Sequence, residues 1–237
     1  MSTSRKILVV LTSHDKLGDT GKPTGWYLSE LAHPYDVLAS RGYSITLASP
    51  AGGAAPLDPS SVEAASSAND AVSRSFLDGK KDLWESTQPL ASFLDRAGEF
   101  DALFFPGGHG PMFDLARDPT SHAVVRQFAA AGKVIAAVCH GPAALANVRT
   151  DTGDEYLLRG KRVTGFTNAE EASVGLDAAM PFLLEDRLRE VVGEQGAFEK
   201  ADEMWGAKVV VDGKIVTGQN PASAAGVAQA IVDLLNQ

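Results

Sequence analysis

Cys139 is the only cysteine in the 237-residue chain, and His140 follows it directly in "VIAAVCHGPAAL". A thiol beside an imidazole can act as a nucleophile with an adjacent base. The apolar run Val134 to Val138 reads as a central strand, and Gly141-Pro142 opens "GPAALANV" as a helix with an early proline. Cys139 is therefore expected on a strand-to-helix turn, mechanically like a hydrolase nucleophile elbow, though without the G-x-S-x-G sequence. Backbone N–H groups at a helix start would lower the thiol pKa and favour the thiolate. The plainer alternative is a buried, inert cysteine.

Three further groups could serve such a thiol. In "FFPGGHGPM", Gly107 and Gly108 follow a strand end, and their N–H groups could bind an oxyanion. Glu30 lies in a helical pattern between Leu28 and Leu31, where burial would keep its carboxyl protonated and able to donate to sulfur. Glu170 and Glu171, in "GFTNAEEASVG", lie past another strand end. Either could orient His140 as the third member of a triad. A charged helix N-terminus capped by Asn168 is the structural alternative for that pair.

The elements that must position these groups alternate. Short apolar, β-branched runs at 6–12, 43–49, from 101, 133–138 and 161–167 suit strands buried on both faces. The segment 207–218 reads as a hairpin turning at Asp212-Gly213. Between them, "GWYLSELAHPYDVLASRG" reads as a helix kinked or split by Pro34 and ended by Gly42. "PTSHAVVRQFAAAGK" and the C-terminal "NPASAAGVAQAIVDLLNQ" read as further helices. This predicts a doubly wound α/β fold, read as one domain over 1–237. Residues 50–85, rich in Ala, Ser and Pro, break the rhythm. They read as a surface insertion folding over a pocket edge, the alternative being a solvated loop with no role.

Composition narrows the function. The net charge of −9, with no stripe of Lys or Arg, argues against nucleic acid and anionic membranes as partners. The longest leading apolar run, Ile7 to Leu11, is too short for a signal or membrane segment, so a cytoplasmic protein is expected. There is no repeat, no CxxC, HExxH or phosphate-loop motif, and no dinucleotide fingerprint.

Taken together, "AAVCHGPAAL", "FFPGGHGPMFDL", "TGWYLSELAHP", "GFTNAEEASVGLD" and "VTGQNPASA" resemble the ThiJ/PfpI superfamily, most nearly its glutathione-independent glyoxalase branch, also called the heat-shock-protein-31-like chaperone branch. The resemblance runs over nearly the whole chain. It implies a flavodoxin-like sandwich, a mostly parallel sheet between helices. It also implies a homodimer and a glyoxalase III-type lyase that converts methylglyoxal or other small 2-oxoaldehydes to 2-hydroxy acids with no cofactor and no metal. By motif, Cys139 is implied as nucleophile, His140 as the adjacent catalytic histidine and Glu30 as the acid on sulfur. Glu171, in preference to Glu170, is implied as histidine partner, with Gly108 and the His140 main chain as oxyanion donors. The other readings are a holding chaperone or redox sensor, and a cysteine peptidase, amidase or protein deglycase.

Overall fold

The computed structural model describes residues 4–237. In chain order its elements are β1 (Lys6–Val10), α1 (Leu28–Ala39), β2 (Ser44–Ser49), α2 (Pro59–Ser67), α3 (Ala71–Gly79), α4 (Lys81–Glu85), β3 (Gln88–Pro89), β4 (Ala102–Phe105) and α5 (Pro119–Ala130). There follow β5 (Val134–Val138), α6 (Ala143–Ala146), β6 (Arg162–Val163), α7 (Asn168–Val174), α8 (Leu184–Val192), β7 (Ala197–Phe198), β8 (Val209–Asp212), β9 (Ile215–Gly218) and α9 (Ala224–Leu235).

The main sheet has seven strands in the order β3-β2-β1-β4-β5-β9-β8, parallel except where β8 pairs antiparallel with β9. Every residue of β4 and β5 is buried, as are Ile7 to Val10 of β1. Unbroken apolar strands are stable only where both faces are covered. The helices supply that cover: α1 packs against α9, and α5 against α6, which meets α8. From β1 the chain moves outward one way to β2 and β3, then crosses back to β4 and β5. The switch point falls between β1 and β4, where ligand sites of open α/β sheets form beyond the strand ends.

Four expectations need correction. Pro34 does not split α1, which runs unbroken through it; Leu31, Ala32, Pro34 and Leu38 are buried, and packing outweighs the one backbone bond that a proline removes. Residues 161–167 do not join the main sheet: only Arg162–Val163 is a strand, paired with β7 in a separate two-stranded sheet. The cap of α7 is Thr167, one residue before Asn168; its side chain accepts from the Glu170 N–H while Glu170 accepts from the Thr167 N–H, a reciprocal capping box. Finally, 50–85 is not a solvated loop: it carries α2, α3 and α4. Their small Ala and Ser residues hide the helical period, while Phe76 and Trp84 pack edge-on against buried Trp26.

Candidate active site

Cys139 sits where β5 ends, with φ of +60°, a conformation few non-glycine residues adopt. Such a residue costs on the order of 1–3 kcal/mol and persists only where its surroundings hold it. Here the Cys139 N–H donates to Gly218 O at 2.9 Å, the Phe166 N–H donates to Cys139 O at 2.9 Å, and the Gly141 N–H donates to Val138 O at 2.8 Å. The turn therefore aims the sulfur of a residue only 3% exposed into a cavity of about 490 Å³. The cavity walls come from the segment after β1, the β4 and β5 strand ends, the start of α2, and the loop before β8.

His140 faces the sulfur. Its Nδ1 lies 3.4 Å from Cys139 Sγ, and its Nε2 lies 2.6 Å from Glu171 Oε2. With Nε2–H donating to the carboxylate, Nδ1 keeps its lone pair toward the thiol. That is the tautomer a base needs. Burial, together with the charge of His109, pulls the His140 pKa below its ordinary value, which favours the neutral imidazole near pH 7. The two imidazoles beside Glu171 hold its carboxyl well below the usual carboxylate range, against the opposing effect of burial.

Glu171, not Glu170, is thus the histidine partner. Glu170 is equally buried but spent on structure: Oε2 accepts from Thr167, and Oε1 accepts from Gln219 Nε2 at 3.0 Å and Asn220 Nδ2 at 2.8 Å. Consecutive residues on a helix point about 100° apart, so one glutamate locks the helix start while its neighbour reaches the site.

Glu30 approaches from α1 on the other side. It is fully buried; Oε2 accepts from the Gly107 N–H at 2.8 Å, while Oε1 has no hydrogen-bond partner. The Cys139 thiol is its polar neighbour. Burial raises the Glu30 pKa to about 8, partly offset by the thiol and the Gly107 N–H, so the carboxyl is protonated at neutral pH.

The thiol itself departs from expectation. Burial and the nearby acidic groups push its pKa up, not down. The helix that was to favour the thiolate, α6, spans only four residues and contributes little dipole. The resting form is therefore a thiol hydrogen-bonded toward a neutral base, and the anion forms by transfer to Nδ1.

The oxyanion assignment also changes. The Gly107 N–H is committed to Glu30 and is not an oxyanion donor. Gly107 is needed for space, since a Cβ there would lie 2.6 Å from the His140 nitrogen. Gly108 adopts φ of +85°, and its N–H, like that of His140, has no hydrogen-bond partner among the described residues. Two unspent donors thus remain beside the sulfur.

His109 is the residue the sequence reading missed. Its Nε2 lies 2.9 Å from Glu171 Oε1, and its ring packs on that of His140 with centroids 4.3 Å apart. Its place in "GGHG" after a strand end was the available signal. His109, His140 and Glu171 form a set of metal-ligand type, with donor atoms within 4.8 Å of one another, but each carboxylate oxygen already meets one imidazole.

An open parallel sheet that carries a cysteine on a strained elbow, with a His–carboxylate pair behind it, defines a class of cysteine-dependent α/β proteins. The DJ-1/PfpI family model matches residues 24–234, and the chain belongs to that family. It is 34% identical over 233 residues to a glutathione-independent glyoxalase of Schizosaccharomyces pombe, covering 97% of this chain and 96% of that one. It is 31% identical over 229 residues to glyoxalase 3 of Candida albicans, covering 96% and 97%. Among solved structures, the rapid encystment protein of Francisella tularensis superimposes with a TM-score of 0.88 at 39% identity, over 98% of this chain and 99% of that one. The Candida albicans glyoxalase III structure gives 0.86 at 30% identity, over 97% of each chain. The doubly wound α/β fold is that of these proteins. No helix among the described residues is long and apolar enough to cross a membrane.

Proposed function

We propose that this chain is a glutathione-independent glyoxalase that converts a 2-oxoaldehyde such as methylglyoxal to the 2-hydroxy acid, lactate. The observation that carries the reading is the Sγ–Nδ1 approach of 3.4 Å at the floor of an open cavity, flanked by the free Gly108 and His140 N–H groups. The names of the relatives at full-length similarity support it.

His140 takes the thiol proton, and the Cys139 sulfur adds to the aldehyde carbon to form a hemithioacetal. The oxygen charge that develops meets the Gly108 and His140 N–H groups, donors that each contribute about 10²–10³ in rate at such sites. Glu171 stabilises the imidazolium at 2.6 Å. Neutral Glu30 donates a hydrogen bond to the sulfur, and His140 returns its proton to the hemithioacetal oxygen. His140, neutral again, then carries the proton on the former aldehyde carbon through an enediol to the neighbouring carbon. The first carbon is oxidised to a thioester and the second reduced to an alcohol, so no external oxidant or reductant enters. Water hydrolyses the thioester, releasing the hydroxy acid and restoring the thiol. Net addition of water with internal redox corresponds to a lyase of the lactate dehydratase class. Homodimer formation belongs to the same reading.

The test is to incubate purified protein with methylglyoxal in the absence of glutathione and measure lactate. Wild-type protein is expected to turn over, and Cys139→Ala to fall to background. Full activity of Cys139→Ala would overturn the proposal.

A further inference from the structure

Resting on that reading, we propose that the substrate class is a 2-oxoaldehyde with a bulky apolar substituent, aromatic or branched, whose side group is held by Trp205. The cavity has two unlike ends. At the floor lie the polar reacting groups already described. Around them the walls carry the apolar Leu17, Pro23, Phe166, Val174, Leu176 and Trp205, with Lys22, Asp58, Ser60 and Glu63 also in the lining. A volume of about 490 Å³ falls in the range of pockets that enclose drug-sized ligands, whereas methylglyoxal is comparable to a few water molecules of about 30 Å³ each. A three-carbon substrate would occupy the floor and leave the apolar walls wetted.

Trp205 is built to be there. It is 41% exposed, and Val174, on the same lip, is 43% exposed, whereas aromatic side chains elsewhere in the chain are mostly covered. Its φ of +66° is a left-handed conformation that a bulky residue avoids unless held. Hydrogen bonds on both sides of it do the holding: Gln219 Oε1 accepts from the Ala201 N–H, Asn220 Nδ2 donates to Gly206 O, and Ser223 Oγ accepts from the Lys208 N–H. Gln219 and Asn220 also donate to Glu170, so the capping-box glutamate of α7 and the Trp205 loop share one anchor. From the lip the Trp205 ring meets Phe166 edge-on at 5.5 Å, and Phe166 lies 4.4 Å from the His140 ring. An aromatic wall thus runs from the mouth to the base. An exposed indole on a pinned loop offers an apolar substituent a surface at little ordering cost.

Of the polar groups in the lining, Asp58 is engaged as the cap of α2 by Thr24 and Ser60.

The experiment compares kcat/KM for phenylglyoxal and for methylglyoxal, without glutathione, in wild-type protein, Trp205→Ala and Trp205→Phe. The ratio of the two constants is read within each preparation, so loss of folded protein cancels. The wild-type ratio is expected to favour phenylglyoxal by about tenfold or more, carried by KM; Trp205→Ala removes most of that preference and Trp205→Phe retains it. Turnover of methylglyoxal with no preference for phenylglyoxal, or a preference unchanged in Trp205→Ala, overturns the inference while leaving the glyoxalase reading in place. Turnover of neither aldehyde overturns the reading itself and the inference with it.

Discussion

Two buried carboxyls flank the Cys139–His140 pair, and they are driven to opposite protonation states. Glu30, on α1, has one backbone N–H and a thiol as polar neighbours and no cation; burial wins, and its pKa rises to about 8. Glu171, on α7, is nearly as buried but sits between two imidazoles, which hold its pKa far below the ordinary value. Burial alone therefore does not decide charge; the number and kind of partners do. The result is a neutral donor on the sulfur side and a fixed negative charge on the base side, a division of roles that acid–base chemistry at one pH requires.

The largest expected effect comes from erasing the charge on the base side. Glu171→Gln keeps the shape but loses the anion, and kcat at pH 7 is expected to fall about 10³-fold or more, measured as lactate formed from methylglyoxal. Glu30→Gln keeps a neutral donor and should stay within about tenfold of wild type at pH 7, because the native carboxyl is already protonated there. Equal losses in the two variants would break the comparison. It sharpens at alkaline pH: wild-type activity should decline as Glu30 ionises near pH 8, and this limb should vanish in Glu30→Gln.

A stability measurement reads the same asymmetry. Folded Glu30 holds its proton up to about pH 8, while the unfolded carboxyl releases it near the ordinary 4.5. Its contribution is fully present below pH 4.5 and lost as pH rises through about 8; for Glu171, whose folded pKa is depressed, the contribution is present above the ordinary value and lost as pH falls. Urea unfolding of wild-type protein should therefore lose, between pH 5 and 8, stability on the order of a few kcal/mol relative to Glu30→Gln. A pH dependence unchanged by the substitution would contradict the raised pKa.

The smallest effect concerns His109. Its charge helps depress the His140 pKa, and its hydrogen bond draws on Glu171. His109→Phe removes both, so the acid limb of the pH–rate profile should move upward, by less than about one unit. An unmoved limb would mean that the two imidazoles are not coupled.

Much of this site was legible in the chain itself because its signals are local. An unbroken apolar run ending in Cys-His-Gly-Pro announces a buried strand, its end and a turn within a few residues. The same holds for "LFFPGGHG". What escaped depended on neighbours remote in sequence. The resemblance pointed to Glu171, but the residues alone left Glu170 and Glu171 open; the choice follows from Gln219 and Asn220, about fifty positions away, claiming the first. The direction of the thiol pKa follows from burial in the folded core and then from Glu30, more than a hundred residues earlier. The helices of 50–85 were masked because Ala and Ser carry little hydrophobic contrast, and Trp26 supplies the partner that packs them.

The sequence by itself determined the alternation of strand and helix, the strand-end places of Cys139 and Gly108, and the family. Those follow from side-chain polarity and backbone freedom, which act over a few residues. Tertiary structure alone decided which carboxyl is charged, which N–H groups stay unspent, that His109 joins the pair, and how wide and apolar the cavity is. Desolvation and hydrogen-bond partnership are properties of groups brought together from distant parts of the chain, and no local pattern encodes them.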